Sequence, residues 1–229
     1  MKEKVSLIII AMDEEFIHLK NRIEPNYQII NIDNEDVYSF THNNTSFIAV
    51  RGRVGKASTA FYIGRLSLLF DIERIFNLGT SGGYQDYLNV GDVVIADKVC
   101  YHDVDATGFN YQYGQVPGFP LMYEADNNYI NSKLLHKDYS FKVYRGLISS
   151  SDSFITYKNV NNFSIKNINS ICCEMEAATV GQCAYLLKIP FVIIRSISDK
   201  ILLKEGEQSS VINLDLASKN CVDVLFDLI

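Results

Sequence analysis

Hydrophobic residues fall along this chain in short unbroken runs separated by amphipathic stretches. Residues 5–11 form the first run, rich in isoleucine, as expected of a strand buried on both faces. Asp13 stands where it can cap a helix over 14–22. Residues 34–50 read as a hairpin, with strands 37–41 and 46–50 around the polar turn His42-Asn43-Asn44. A helix is predicted over 56–70, because Ala57, Ala60, Phe61, Gly64 and Leu68 share one face. Strand 75–78 leads into Gly79-Thr80-Ser81-Gly82-Gly83, read as a tight glycine–hydroxyl turn. Further strands are expected over 92–100, 141–149, 169–173 and 190–197, with helices over 177–187 and 213–228. The stretch 102–124 is aromatic and glycine-rich and contains Pro117 and Pro120, so it reads as a long ordered loop.

Strands alternate with helices throughout. That order predicts an α/β fold, a three-layer sandwich with a central mixed, largely parallel sheet. The length of 229 residues fits one large domain, 1–229. A net charge of -6 has the wrong sign for gripping phosphate backbones, so nucleic acid is not expected as a partner. The run 5–11 is too short to span a membrane, and no small-residue cleavage pattern follows it. Five cysteines, at 100, 172, 173, 183 and 221, show no C-x-x-C spacing. They suggest buried free thiols in a reducing compartment, hence a cytoplasmic protein, rather than a disulfide framework or a zinc site.

Ligands of open α/β sheets bind beyond the carboxyl ends of the strands. Three of the predicted strands deliver acids to that edge: Asp13, Glu14 and Glu15 after the first, Glu174 and Glu176 after 169–173, Asp199 after 190–197. An acid after a strand often only caps a helix. Asp13 and Glu14 fit that reading, as a cap and a solvated charge. Glu176 and Asp199 follow buried-looking runs, where a carboxylate needs a partner or a function. Several carboxylates around one cleft suit glycoside cleavage, which protonates a leaving group and activates water. The chain lacks a G-x-S-x-G elbow, a P-loop and a G-x-G-x-x-G turn. His18, His42 and His136 read as surface residues. His102, in the aromatic loop, is open to a structural or a functional role.

At these positions the chain resembles the bacterial 5'-methylthioadenosine/S-adenosylhomocysteine nucleosidases of the purine nucleoside phosphorylase superfamily. The resemblance rests on Ala11-Met12-Asp13-Glu14-Glu15, Val54-Gly55-Lys56, Asn77 through Gly83, Tyr101 through Thr107, Tyr113 through Gly118, Ser151 through Ile155, Glu174-Met175-Glu176-Ala177 and Arg195 through Asp199. It implies a nucleoside phosphorylase-like fold, no cofactor and a purine nucleoside substrate. It implies Glu15 as base beside the attacking water, which Thr80 and Arg195 help hold. It implies Glu176 on the ribose hydroxyls, with Met175 packed on the sugar and Val54 among the substrate-binding residues. Asp199, held by Ser198, would protonate the adenine at N7. Phe154 would stack on the base, and the backbone at Ile155 would read its edge. Phe109 and Pro117 would cover the 5'-alkylthio group in a partner's site, which implies a homodimer.

The chain departs from the family pattern at four places. Ile10 stands in place of a glycine, Arg53 in place of a small residue, and Thr80 in place of a serine. The fourth is the segment 200–211, which lacks the aromatic lid that usually follows the base-binding acid. Two other readings stay open: a phosphorylase, for which Arg53 is the available cation, and a nucleoside-binding homologue without catalysis.

Overall fold

The structure is a computed structural model describing residues 2–133, 137–163, 168–202 and 213–229. The expected strand 5–11 is β1 (Lys4–Ile10), in which every residue after Lys4 is buried. Helix α1 (Asp13–Ile23) follows, with acids in its first turn and Lys20 and Arg22 in its last, as the helix dipole favours. Asp13 does not cap it; its carboxylate pairs with Arg51 at 2.6 Å instead.

The hairpin is larger than its alternation suggested. Strands β2 (Tyr27–Ile32), β3 (Glu35–His42) and β4 (Thr45–Arg51) form a meander. Its turns are the pairs Asp33-Asn34 and Asn43-Asn44, all four residues at positive φ, as two-residue hairpin turns require. Strand β2 was missed because its exposed and half-buried positions give no apolar run.

Helix α2 (Lys56–Leu69) leads to β5 (Asp71–Gly83), which corrects the expected glycine turn. Residues 79–83 continue the strand. Their small side chains admit close neighbours: a Cβ on Gly79 would lie 2.0 Å from Nη1 of Arg195, and one on Gly82 would lie 2.7 Å from Ile201. After β6 (Val93–Tyr101), the aromatic stretch includes a short 3-10 turn (Thr107–Phe109) and ends in β7 (Tyr123–Glu124). The remaining elements are α3 (Asn127–Lys133), β8 (Val143–Ser150), β9 (Cys172–Glu174), α4 (Ala177–Leu187), β10 (Phe191–Lys200) and α5 (Leu214–Leu228).

The expectation of a three-layer sandwich on a largely parallel sheet needs revision. Parallel and antiparallel pairings are equally frequent among the described strands. Strands β5, β10, β6, β8 and β9 also pair in a closed ring, with β9 returning to β5. Closure removes two sheet edges that would otherwise expose unpaired backbone. Strands β1, β4, β3 and β2 extend outward from β5. Helices α1 and α5 pack together, with α5 against β5 and β10; α4 packs against α2, β6 and β8. One large apolar core runs through the sheet and both helix groups. Among the described residues, no helix is long and apolar enough to cross a membrane.

Candidate active site

The ends of β1, β5, β9 and β10 converge on one cleft, with the segments after β4 and β8 at its rim. Glu15, Thr80, Glu176 and Asp199 line it. Val54, Phe154, Ile155, Met175 and Ser198 line it as well. Nine of the twelve residues singled out from the sequence therefore meet here. Of the other three, Arg195 is buried behind the lining, while Phe109 and Pro117 are exposed elsewhere on the chain.

Glu15 is buried at the start of α1. Its Oε1 accepts hydrogen bonds from the Thr80 amide at 2.7 Å and the Thr80 hydroxyl at 3.0 Å; Oε2 accepts one from the Met12 amide at 3.3 Å. Burial pushes its pKa up, against the opposing pull of Arg195 and Thr80. A serine or threonine at position 80 supplies the same hydroxyl, so that departure preserves the bond.

Arg195 anchors the floor. Its Nη2 donates to Asn77 Oδ1 and to Glu174 Oε2, each at 2.5 Å, and lies 3.5 Å from Glu176 Oε2. Glu174 is the residue that actually caps α4. Its carboxylate accepts the Glu176 amide at 2.8 Å and the Ala177 amide at 2.9 Å, and Ser150 donates to it as well. The capping role expected of acids after strands thus belongs to Glu174, and Glu176 is left free to face the cleft. The Glu174-Met175-Glu176 triplet signalled two acids there but not how they divide the work.

Glu176 accepts a hydrogen bond from the Gly55 amide at 2.9 Å. Burial, then the neighbouring Glu174 charge, raises its pKa. Gly55 has φ of 99°, a backbone region that favours glycine, and this conformation turns its N–H toward the carboxylate. Lys56, whose role was not foreseen, holds that turn: its amide bonds Asp152 at 2.9 Å and its ammonium pairs with Asp103 at 2.8 Å. The α2 start, the loop after β6 and the loop carrying Phe154 are thereby tied together.

Asp199 sits within β10, opposite Gly82, rather than beyond the strand. Its Oδ1 accepts the Ser198 hydroxyl at 2.8 Å. Burial raises its pKa, and the Ser198 bond only partly offsets this. Phe154, largely exposed, stands at the rim. Among the described residues the lining holds four carboxylates and no lysine or arginine.

The described histidines, His18, His42 and His102, lie outside this cleft. His102 is fully buried, with Nδ1 3.1 Å from the Ser149 hydroxyl and its ring edge-on to Phe163; burial pushes its pKa down to about 4. His18 and His42 are half-buried rather than surface residues, and His136 lies outside the described residues. Most of segment 200–211, where an aromatic lid was not found, also lies outside them. All five cysteines are free thiols, four of them buried.

The sequence model of the phosphorylase superfamily matches residues 6–229. The 5'-methylthioadenosine/S-adenosylhomocysteine nucleosidase of Geobacillus sp. (strain WCH70) is 37% identical over 228 residues, covering 97% of this chain and 96% of the relative. The enzyme of that name from Bacillus subtilis (strain 168) is 34% identical over 225 residues, covering 97% and 96%. Among solved structures, the nucleosidase of S. pneumoniae with the transition-state inhibitor MT-ImmA matches with a TM-score of 0.84 at 30% identity, over 98% of this chain and 97% of that one. The S-adenosylhomocysteine nucleosidase of Streptococcus pyogenes in complex with 5-methylthiotubericidin matches with a TM-score of 0.86 at 30% identity, over 99% and 96%. Similarity of this extent, over a cleft with this set of carboxylates, places the chain among the 5'-methylthioadenosine/S-adenosylhomocysteine nucleosidases of the phosphorylase superfamily.

Proposed function

We propose that the chain hydrolyses the N-glycosidic bond of 5'-methylthioadenosine and S-adenosylhomocysteine, releasing adenine and the 5'-substituted ribose. The same cleft would accept 5'-deoxyadenosine. Asp199 carries the departure of the base. Adenine leaves poorly as an anion, so a carboxyl that holds its proton near neutral pH and faces N7 lowers the barrier; burial of Asp199 favours that protonated form. Glu176 engages the ribose hydroxyls, and its negative charge stabilises the oxocarbenium-like transition state. Glu15 takes the proton of the attacking water. Its orientation is set by Thr80, and Arg195 supports Glu15, Glu174 and Glu176 from behind as their counter-charge. Met175 and Val54 pack on the sugar, Phe154 stacks on the base, and the Ile155 backbone reads its edge.

Residues 1–229 act as one catalytic unit in a homodimer. Phe109 is 81% exposed on its own chain, a cost that burial in a partner's cleft, together with Pro117, would remove. Phe61 and Leu68, on one face of α2, are largely exposed in the described chain, which supports the same assembly. Free buried thiols fit the cytoplasm.

The observation that carries hydrolysis over phosphorolysis is the lining: four carboxylates and, among the described residues, no cation to receive phosphate. Arg53, the cation available for that rival, lies outside the lining and is paired with Glu35 at 2.8 Å. Product analysis tests this. With 5'-methylthioadenosine, the chain should release adenine and free sugar at a rate independent of added phosphate. A sugar 1-phosphate product, or no adenine at all, would reject the assignment.

A further inference from the structure

The wall of the cleft at Ala11, Met12 and Val54 is shared with a second, shallower recess. Asp13, Glu14, Arg51 and Arg53 complete that recess. Neither Ser198, Asp199 nor Ile155 borders it, so it opens from the end of the cleft away from the acid assigned to the base. Val54, assigned above to the sugar, borders both cleft and recess, so a 5' substituent can extend from the ribose into this recess.

The recess pairs two cations with two anions, and both cations keep unused donors. Arg51 grips both oxygens of Asp13 through Nη1 alone, at 2.8 and 2.6 Å. Arg53 bonds Glu35 through Nη2 at 2.8 Å and the Tyr62 hydroxyl through Nε at 3.3 Å. Among the described residues this leaves Nη1 of Arg53, and Nε and Nη2 of Arg51, without a hydrogen bond. A guanidinium carries five N–H donors, so each is oriented by its acid with capacity left for a second carboxylate. Asp13 and Glu14 are exposed beside them and can face an ammonium. Arg53 itself adopts φ of 57°, which few residues with a side chain accept.

We propose that this recess binds the zwitterionic amino-acid end of the 5' substituent, making Arg51 and Arg53 specificity residues for S-adenosylhomocysteine over 5'-methylthioadenosine. The inference rests on the nucleosidase reading above. The two substrates share adenine, ribose and sulfur. Only the homocysteinyl tail carries a carboxylate for the arginines and an ammonium for the acids; a methylthio group ends inside the cleft. The recess is exposed and screened by salt, so its contribution is moderate, a factor of about three to five in KM.

Adenine release from each substrate by the wild-type chain and by Arg53→Gly tests the proposal. Glycine is chosen because it accepts the left-handed backbone. The KM for S-adenosylhomocysteine should rise about three- to fivefold, with that for 5'-methylthioadenosine little changed. An equal change for both substrates, or no change for S-adenosylhomocysteine, would overturn it. Salt gives a second measurement on the unaltered chain. Raising NaCl toward about 1 M, where the screening length falls to about 3 Å, should weaken S-adenosylhomocysteine selectively. Identical salt responses would count against the recess. If the wild-type chain releases adenine from neither substrate, the nucleosidase reading fails and this proposal with it.

Discussion

Glu174 spends its oxygens on backbone amides, Ser150 and Arg195, and keeps nothing for a ligand. Glu15 is bonded by Thr80 and Met12 yet still borders the cleft, and among the described residues Asp199 is bonded by Ser198 alone. The roles proposed for Glu15 and Asp199 carry opposite protonation needs. In the proposed mechanism Glu15 and Glu176 work ionised, so activity falls as pH drops through their raised pKa values. Asp199 must be protonated to donate, so activity falls as pH rises through its raised pKa. A profile of kcat/KM over about pH 4 to 9 should therefore be bell-shaped, with the alkaline limb belonging to Asp199. A rate that keeps climbing with pH, as for a mechanism needing only a base, would contradict that assignment.

Strand β5 is the element on which the site depends most, because it carries Asn77, Gly79 and Thr80 past three neighbouring strands. Gly79 is where the Arg195 guanidinium crosses it. Gly79→Ala forces a Cβ to within 2.0 Å of Nη1, and the buried guanidinium is tied by Asn77 and Glu174 and has little room to give. We expect a loss of at least about 2 kcal/mol in unfolding free energy by urea titration, with activity lost as well. Unchanged stability would show that Arg195 can move freely. The same strand marks the limit of what is legible in the sequence. Strand β1 and helix α4 are readable because each has a strong local apolar pattern. Residues 79–83 read as a turn because glycine is a turn signal, and only a distant arginine and isoleucine explain why small residues stand in a strand. Glu176 and Asp199 stood out as acids after apolar runs. The division between Glu174 and Glu176 depends on hydrogen bonds to Ser150 and Gly55, which no local pattern contains.

Across the whole molecule, closure of the sheet through β9 and β10 was invisible for a related reason: its pairings join segments far apart in the chain. Those pairings bring acids from α1, β10 and the start of α4 to one cleft without any motif linking them in sequence. Phe61, Leu68 and Phe109 are each largely exposed on the isolated chain, as the proposed homodimer expects. Sedimentation should give a particle of twice the 25.9 kDa chain mass. Under the proposed assembly, Phe109→Ala should lower kcat/KM for 5'-methylthioadenosine about tenfold while the dimer persists, because one ring leaves the partner's cleft and the rest of the contact surface stays. A fully active monomer would contradict any role of Phe109 and Pro117 in a partner's cleft.

Asp199 is proposed to deliver the proton that lets the base leave. Asp199→Asn keeps the size of the side chain and can still bond Ser198 while removing the acid. Adenine release from 5'-methylthioadenosine, measured beside binding of a non-hydrolysable substrate analogue, tests the claim directly. Turnover should fall at least about a hundredfold with analogue affinity retained. Near-normal adenine release by the asparagine variant would contradict it.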